Sequence, residues 1–342
     1  MSQPVPLRHR ILAIRFSSIG DILLTTPLLR AIRRRLPDAY LAMLTKDQFA
    51  PLVQDNPRLN DVITLGKDQS LASLAGDLRA KKFTHILDLH GSLRTRALRL
   101  LVPARWSGYH NHRVAREILI RFKRNLYPRE IPVPERYFDA ARELGVQPDG
   151  DPPEFFLREK AKTEASDWLV AGGLPVDRGM VAIAPGAAHN TKRWPVEYWQ
   201  SLAHSLTTRG VPIVVVGGPE DREIAQTVTA SGEGGLAMNA AGQFGLQGTG
   251  ALLGLSRALI SGDTGVMHMA TAVNIPVIAL FGPTVRAFGF FPYSAQAVVL
   301  ERDLDCRPCT AWGTEHCPLG HHHCLRGIVP SEVDLVLQRV LT

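Results

Sequence analysis

Four short stretches of this chain hold residue types able to move a proton or grip an anion. In residues 16–25, FSSIGDILLT, one carboxylate, Asp21, stands where the apolar run 11–14 gives way to the helical pattern PLLRAIRRRL. A carboxylate there either caps the helix or serves as a base. Gly20 lets the backbone turn tightly beneath it, and Ser17 or Ser18 can orient the loop. In residues 183–199, IAPGAAHNTKRWPVEYW, small residues Gly186, Ala187 and Ala188 let backbone N–H groups approach an anion, and Lys192 adds a mobile positive charge. The bland alternative is an ordinary loop with a solvated lysine.

In residues 214–225, VVVGGPEDREIA, Glu220 and Asp221 follow an apolar run. Such an acid accepts from ribose hydroxyls or complements the dipole of the next helix. In residues 260–284, SGDTG precedes a helical pattern holding His268 and ends in FGPT. Asp263, Thr264 and Gly265 would sit at a helix N-terminus, where anions bind. Asp263 as a simple cap and His268 as a satisfied core histidine is the competing reading.

Two further clusters stand apart. Cys306, Cys309, Cys317 and Cys324 are spaced x2, x7 and x6, with His316 and His321 to His323 nearby. This spacing fits a structural zinc site, free thiols or two disulfides. Between Arg94 and Arg129 the chain is basic and carries Trp106, Tyr109 and Tyr127. That is either a solvated face or a surface for an anionic partner: phosphorylated lipid, anionic sugar or nucleic acid.

Apolar runs at 11–16, 41–45, 61–65, 85–90, 180–185, 212–217, 257–262 and 276–282 read as strands, with amphipathic helical stretches between them. Continuously apolar strands alternating with helices predict parallel sheets covered on both faces, an α/β fold of two doubly wound domains. The Pro- and Gly-rich stretch before Met180 predicts a first domain over 1–165, a second over 176–330, and a terminal helix, 331–342, packing back on the first. In such sheets ligands bind beyond the carboxyl ends of the strands. That rule puts His90, Arg94 and Arg96, which follow the run 85–90, at the first domain's binding edge.

Of 342 residues, 45% are hydrophobic and 21% charged, with a net charge of +7, the balance of a globular protein with a large core. No apolar run of about 20 residues is present, and the N-terminal stretch lacks the apolar centre of a signal peptide, so a cytoplasmic protein is expected. Neither a GxGxxG fingerprint after the first strand, nor a Walker A pattern, nor a GxSxG elbow occurs, which argues against a nicotinamide dehydrogenase, a P-loop enzyme and an α/β-hydrolase.

Taken in order, FSSIGDILLTTPLLRAIRRRLP, GAAHNTKRWPVEYW, GGPEDREIA and SGDTGVMHMATAVNIPVIALFGPT resemble glycosyltransferase family 9, the ADP-heptose:lipopolysaccharide heptosyltransferases, across roughly residues 10–340. The resemblance implies a GT-B fold: two Rossmann-like domains facing a central cleft. It implies an inverting transfer of heptose from ADP-heptose to the lipopolysaccharide inner core, with no cofactor and no catalytic metal. Asp21 then falls on the general base and Lys192 on the residue that meets the donor phosphate. Asp263, Thr264, Gly265 and His268 fall in the donor pocket, Asp221 near the ribose, and Gly186, Ala187 and Ala188 on a loop offering backbone N–H groups. Phe244, in AGQFGL, falls beside adenine. Ser18, His90, Arg94 and Arg96 are expected on the acceptor side. The helical pattern 113–124 is expected to rest peripherally on an anionic membrane surface at the inner face of the inner membrane. Alternatives are a family member using another nucleotide sugar, a non-catalytic nucleotide or glycolipid binder, and a zinc-linked nucleic-acid binder. Beyond its charge and cysteines, nothing in the chain resembles a nucleic-acid module, so no nucleic-acid partner is expected.

Overall fold

The first apolar run becomes a strand because nothing in it can face water: Ile11, Leu12, Ala13 and Ile14 are all fully buried. The same holds for 180–184, and both lie in the interior of a sheet. The computed structural model describes residues 9–175, 179–294 and 296–342. It contains the strands β1 (Arg10–Ile14), β2 (Tyr40–Lys46), β3 (Asp61–Leu65), β4 (His85–Asp88), β5 (Arg105–Gly108), β6 (Met180–Ala184), β7 (Ile213–Val215), β8 (Ala237–Asn239), β9 (Ser256–Gly262), β10 (Val277–Phe281) and β11 (Ala297–Glu301). They form two sheets, ordered β3-β2-β1-β4-β5 and β11-β10-β9-β6-β7-β8. Every pairing is parallel. Helices cover the sheets, as parallel pairing requires. This is the doubly wound α/β architecture expected.

The domain boundary differs from the expected one. One unit comprises residues up to 111 together with 133–156; the other comprises 112–132 with 157–342. The return stretch 133–156 stays with the first unit because it meets polar and apolar partners there. Arg30, almost wholly buried on helix Thr26–Arg35, grips both carboxylate oxygens of Asp149 at 2.7 Å and the carbonyls of Asp151 and Pro152. Tyr137 is fully buried.

Helix Arg113–Phe122 goes with the second unit. Leu119 joins Ala287 and Phe288, with Ile120 and Tyr127 packed alongside. The Arg116 guanidinium lies 4.5 Å from the centre of the Trp312 ring. Lys123, in the left-handed region at φ 55°, closes the helix, and its Nζ donates to the carbonyls of Ile120, Cys306 and Pro308. The basic stretch is therefore two surfaces on two units rather than one.

The terminal helix Pro330–Leu341 also departs from expectation. Val333 and Leu337, four apart on one face, enter the second unit's core with Trp199, Leu202 and Leu206. Ser205 Oγ donates to Asp334 at 2.9 Å. The helix packs on its own unit.

Candidate functional site

In the first unit, the carboxyl end of β1 runs through Arg15 and Phe16 into helix Ile19–Leu23. Asp21 sits in its first turn, where its Oδ2 accepts from the Ser18 amide at 3.2 Å and the Ser18 hydroxyl at 2.8 Å. Its Oδ1 lies 2.5 Å from Arg15 Nη2, with both side chains largely shielded from water. Arg15 is itself held by donation to the carbonyls of Ser17 (2.8 Å) and Leu89 (2.5 Å). Burial, the largest influence, pushes the Asp21 carboxyl up; the Arg15 charge and the Ser18 hydrogen bonds overcome it and hold the carboxyl below its ordinary value. Asp21 is thus both helix cap and desolvated anion. Ser18 serves Asp21 directly.

Arg15 was not among the residues singled out from the sequence. The signal was there: an arginine closing a buried apolar run must find a charge, and the nearest carboxylate in sequence is Asp21.

Phe16, 1% exposed, organises what surrounds it. The His90 ring meets it edge-on at 5.2 Å, and the Arg94 guanidinium lies 5.7 Å from its centre. Burial, followed by the Arg15 cation, lowers the His90 imidazole to about 4. His90 Nδ1 is buried without a partner, as is the Tyr137 hydroxyl. Next to this group, beyond β2 and β3, a cavity of about 490 Å³ is lined by Lys46, Asp47, Gln48, Lys67, Gln69 and Arg94. Three cations against the single Asp47 carboxylate leave the hollow positive on balance, which suits an anionic group. Arg96, by contrast, is exposed one turn into helix Leu93–Leu101 and does not line the cavity. Lys46 and Lys67 escaped the sequence reading because they arrive on two different strand ends.

In the second unit, Lys192 and the loop after β9 meet. Lys192 Nζ is 2.6 Å from Asp263 Oδ2, which also accepts from the Thr284 hydroxyl at 2.8 Å. The approach is tight at Gly262, where a Cβ would stand 3.0 Å from the Lys192 carbonyl. Thr264 caps helix Gly265–Ala272, and its hydroxyl is 3.0 Å from that of Ser261. His268 lies on that helix, 4% exposed, within the core.

The Lys192 loop is braced by the cysteine-bearing segment. The Thr191 hydroxyl donates to the Thr314 carbonyl (2.9 Å) and accepts from the Thr314 amide (2.8 Å). His322 Nε2 is 3.0 Å from the Thr191 carbonyl. Arg307 donates to the Thr284 carbonyl at 2.7 Å.

Asp221 accepts from the Gly218 amide at 3.0 Å. Its carboxylate fills the space over Gly186, where a Cβ would come within 2.0 Å of Oδ1. Burial raises this carboxyl, Glu220 adds to the effect, and the Gly218 amide opposes it. Gly186, Ala187 and Ala188 are held partly by Arg193, which donates to the Ala187 carbonyl at 2.9 Å. The half-buried Phe244 meets Trp168 edge-on at 5.4 Å.

The four cysteines are free thiols. Burial raises Cys309 and takes Cys324 up to about 11, so both stay protonated near neutral pH. Among the described residues, no group of three or more His, Cys, Asp or Glu is disposed to hold a metal ion, which leaves the zinc expectation without geometric support.

Two doubly wound parallel units, each with polar and charged groups at the carboxyl ends of its strands, are the architecture of GT-B glycosyltransferases. The comparisons agree. The family model described as glycosyltransferase family 9 (heptosyltransferase) matches residues 71–319. Lipopolysaccharide heptosyltransferase 2 of Salmonella typhimurium is 25% identical over 97% of this chain and 99% of its own. Two solved structures superpose over 97% of this chain. The family 9 glycosyltransferase of Veillonella parvula has a TM-score of 0.81 at 23% identity, over 97% of its own chain. The E. coli ADP-heptose lipopolysaccharide heptosyltransferase II has a TM-score of 0.75 at 25% identity, over 98% of its own chain. The chain belongs to glycosyltransferase family 9, the heptosyltransferase family, and is a glycosyltransferase.

Proposed function

We propose that the protein transfers heptose from ADP-heptose to a sugar hydroxyl of the lipopolysaccharide inner core, inverting the anomeric carbon. The observation that carries this reading is Asp21: an anion kept out of water at a strand end and oriented by Arg15 and Ser18. The acceptor oxygen bonds to the anomeric carbon while the bond from that carbon to the diphosphate breaks. The acceptor proton passes to Asp21, and ADP leaves with the electron pair. A carboxylate held low is a weak base toward a free alcohol. It suffices here because the hydroxyl turns acidic only as its oxygen bonds to an oxocarbenium-like carbon.

Charge growing on the leaving diphosphate is met by Lys192, the start of helix Gly265–Ala272 and the backbone N–H groups at Gly186 to Ala188. Asp263 and Thr284 keep the Lys192 ammonium in place, and Asp221 shapes the same loop from behind. The relatives named for ADP-heptose and lipopolysaccharide support this donor and acceptor. The cation-lined cavity beside His90 suits the phosphates and carboxylates of such an acceptor. Because that acceptor is lipid-borne, the reaction belongs at the cytoplasmic face of the inner membrane.

The test is incubation with ADP-heptose and deacylated inner-core acceptor, following ADP release and the mass of the glycan. One added heptose is the expected product. Turnover only with another nucleotide sugar would replace the donor, and none with any nucleotide sugar would leave a binding protein.

A further inference from the structure

Helix Leu93–Leu101 turns an unusual face outward. Thr95 and Leu98 point inward, and the adjoining Val102 is buried too. Leu93, Ala97 and Leu100 fall at helical spacing on the other side, with Leu93 80% and Leu100 89% exposed. Arg94, Arg96 and Arg99 are exposed around them. Among the described residues, neither Arg96 nor Arg99 makes an ion pair or side-chain hydrogen bond. From Leu89 to Asn111 the chain has four arginines and no acidic residue. The helix is firmly built: Ser92 and Thr95 form a capping box, and Trp106 Nε1 donates to the Val102 carbonyl at 3.0 Å.

We propose that the outer face of helix Leu93–Leu101 docks on an anionic lipid bilayer, its leucines entering the headgroup boundary and Arg96 and Arg99 meeting lipid phosphates. Leucines flanked by unpaired arginines, with no acid, match a surface that is apolar beneath and negative above. A second copy of the chain fits poorly, since a symmetric contact would set arginine against arginine. The helix expected for this role from the sequence, Arg113–Phe122, also exposes apolar side chains, Val114 and Phe122, but its cations are largely engaged. Arg121 is paired with Glu117 at 2.9 Å, Lys123 and Arg116 are engaged within the unit, and Leu119 is buried. The inference deepens the proposed reaction at a lipid-borne acceptor by naming the surface that meets the membrane.

The experiment is co-sedimentation of the full chain with vesicles of neutral phosphatidylcholine, with and without phosphatidylglycerol. Binding is expected to the anionic vesicles alone, with release at high salt. Arg99→Gln should weaken it about fivefold, the loss expected for one arginine at such a surface. Leu93→Ser/Leu100→Ser should weaken it by more than tenfold, and Arg121→Gln should leave it unchanged. Absence of binding at low salt, or equal losses from Arg121→Gln, would overturn the proposal. So would a concentration-dependent dimer abolished by Leu93→Ser/Leu100→Ser. Turnover of a deacylated, soluble acceptor is measured alongside and should be untouched by Arg99→Gln and Leu100→Ser. Wild type inactive on that acceptor but bound to vesicles would count against the reaction and not against the surface.

Discussion

Asp21 keeps its charge where burial opposes it, and Arg15 is the reason. Removing the carboxylate should therefore have two separable effects. Asp21→Asn should lower kcat by about 10²–10⁴, the usual worth of a positioned base, while calorimetry shows ADP binding as before. It should also lower the melting temperature, because Arg15 is left buried without its counter-charge. A variant that turns over normally would remove Asp21 from the proton path. Lys192→Ala should raise the Kd for ADP and lower kcat by a larger factor, since leaving-group charge is greatest in the transition state. Unchanged ADP affinity and kcat would place Lys192 outside the donor site.

His90 gives a pH signature. Its folded-state value lies near 4 against an ordinary 6.5, so between those limits the unfolded chain binds the extra proton. Stability should fall as pH drops from about 6.5 to 4 and lose nothing more from this group below that. Arg15 and Lys46 press in the same direction, whereas Asp21 and Asp88 oppose it. Denaturant midpoints for His90→Phe, which keeps a ring against Phe16, should show a flatter slope across this window. Identical slopes would mean that the imidazole does not titrate as described.

At the scale of elements, the loop that presents Lys192 depends on a segment more than a hundred residues later. Thr191→Val removes a hydroxyl that both donates to and accepts from Thr314 and leaves the Thr314 amide unanswered, at a cost of about 1–3 kcal/mol. The expected outcome is a lower melting temperature together with weaker ADP binding, both restored in Thr191→Ser. Loss of stability with ADP affinity intact would make the brace a matter of folding alone. This contact was invisible in the sequence because nothing local marks Thr191 and Thr314 as partners. The elements themselves were more legible. All eight apolar runs are strands: seven lie inside a sheet, where burial on both faces favours a continuous apolar pattern, and β3, half-buried at an edge, keeps enough of one to be read. The strands not foreseen are β5, β8 and β11, RWSG, AMN and AVVLE, each at the edge of its sheet. An edge strand has one neighbour and half its surface in water, so β5 and β8 were free to lose the apolar run. β11 keeps one, but it is half exposed and follows an irregular loop.

Across the whole molecule, two doubly wound units could be read from the alternation of strand and helix, but their true division could not. Residues 112–132 look like a continuation of the basic stretch before them, yet their apolar positions answer Ala287 and Phe288. Periodicity reports that a helix has an apolar face and not which core that face joins. The candidate site followed the same rule. Asp21, Lys192 and Asp263 stood in stretches whose local pattern announced them, while Arg15, Lys46, Lys67 and Thr284 acquired meaning only from neighbours in space.

The excursion of 112–132 also bears on synthesis. Lys123 and the Pro308 carbonyl it binds are 185 positions apart. At ~5–20 residues per second on the ribosome, helix Arg113–Phe122 emerges roughly 10–40 s before its partner exists. The first unit has all its residues once Phe156 has emerged, so it folds with this helix hanging from it, Leu119 and Ile120 uncovered. A nascent chain stalled in that interval presents a sticky loop to holdase chaperones, and one stalled before Phe156 lacks even its first unit. Cutting the gene between the two units yields no clean halves: any N-terminal piece carries a helix that belongs to the other.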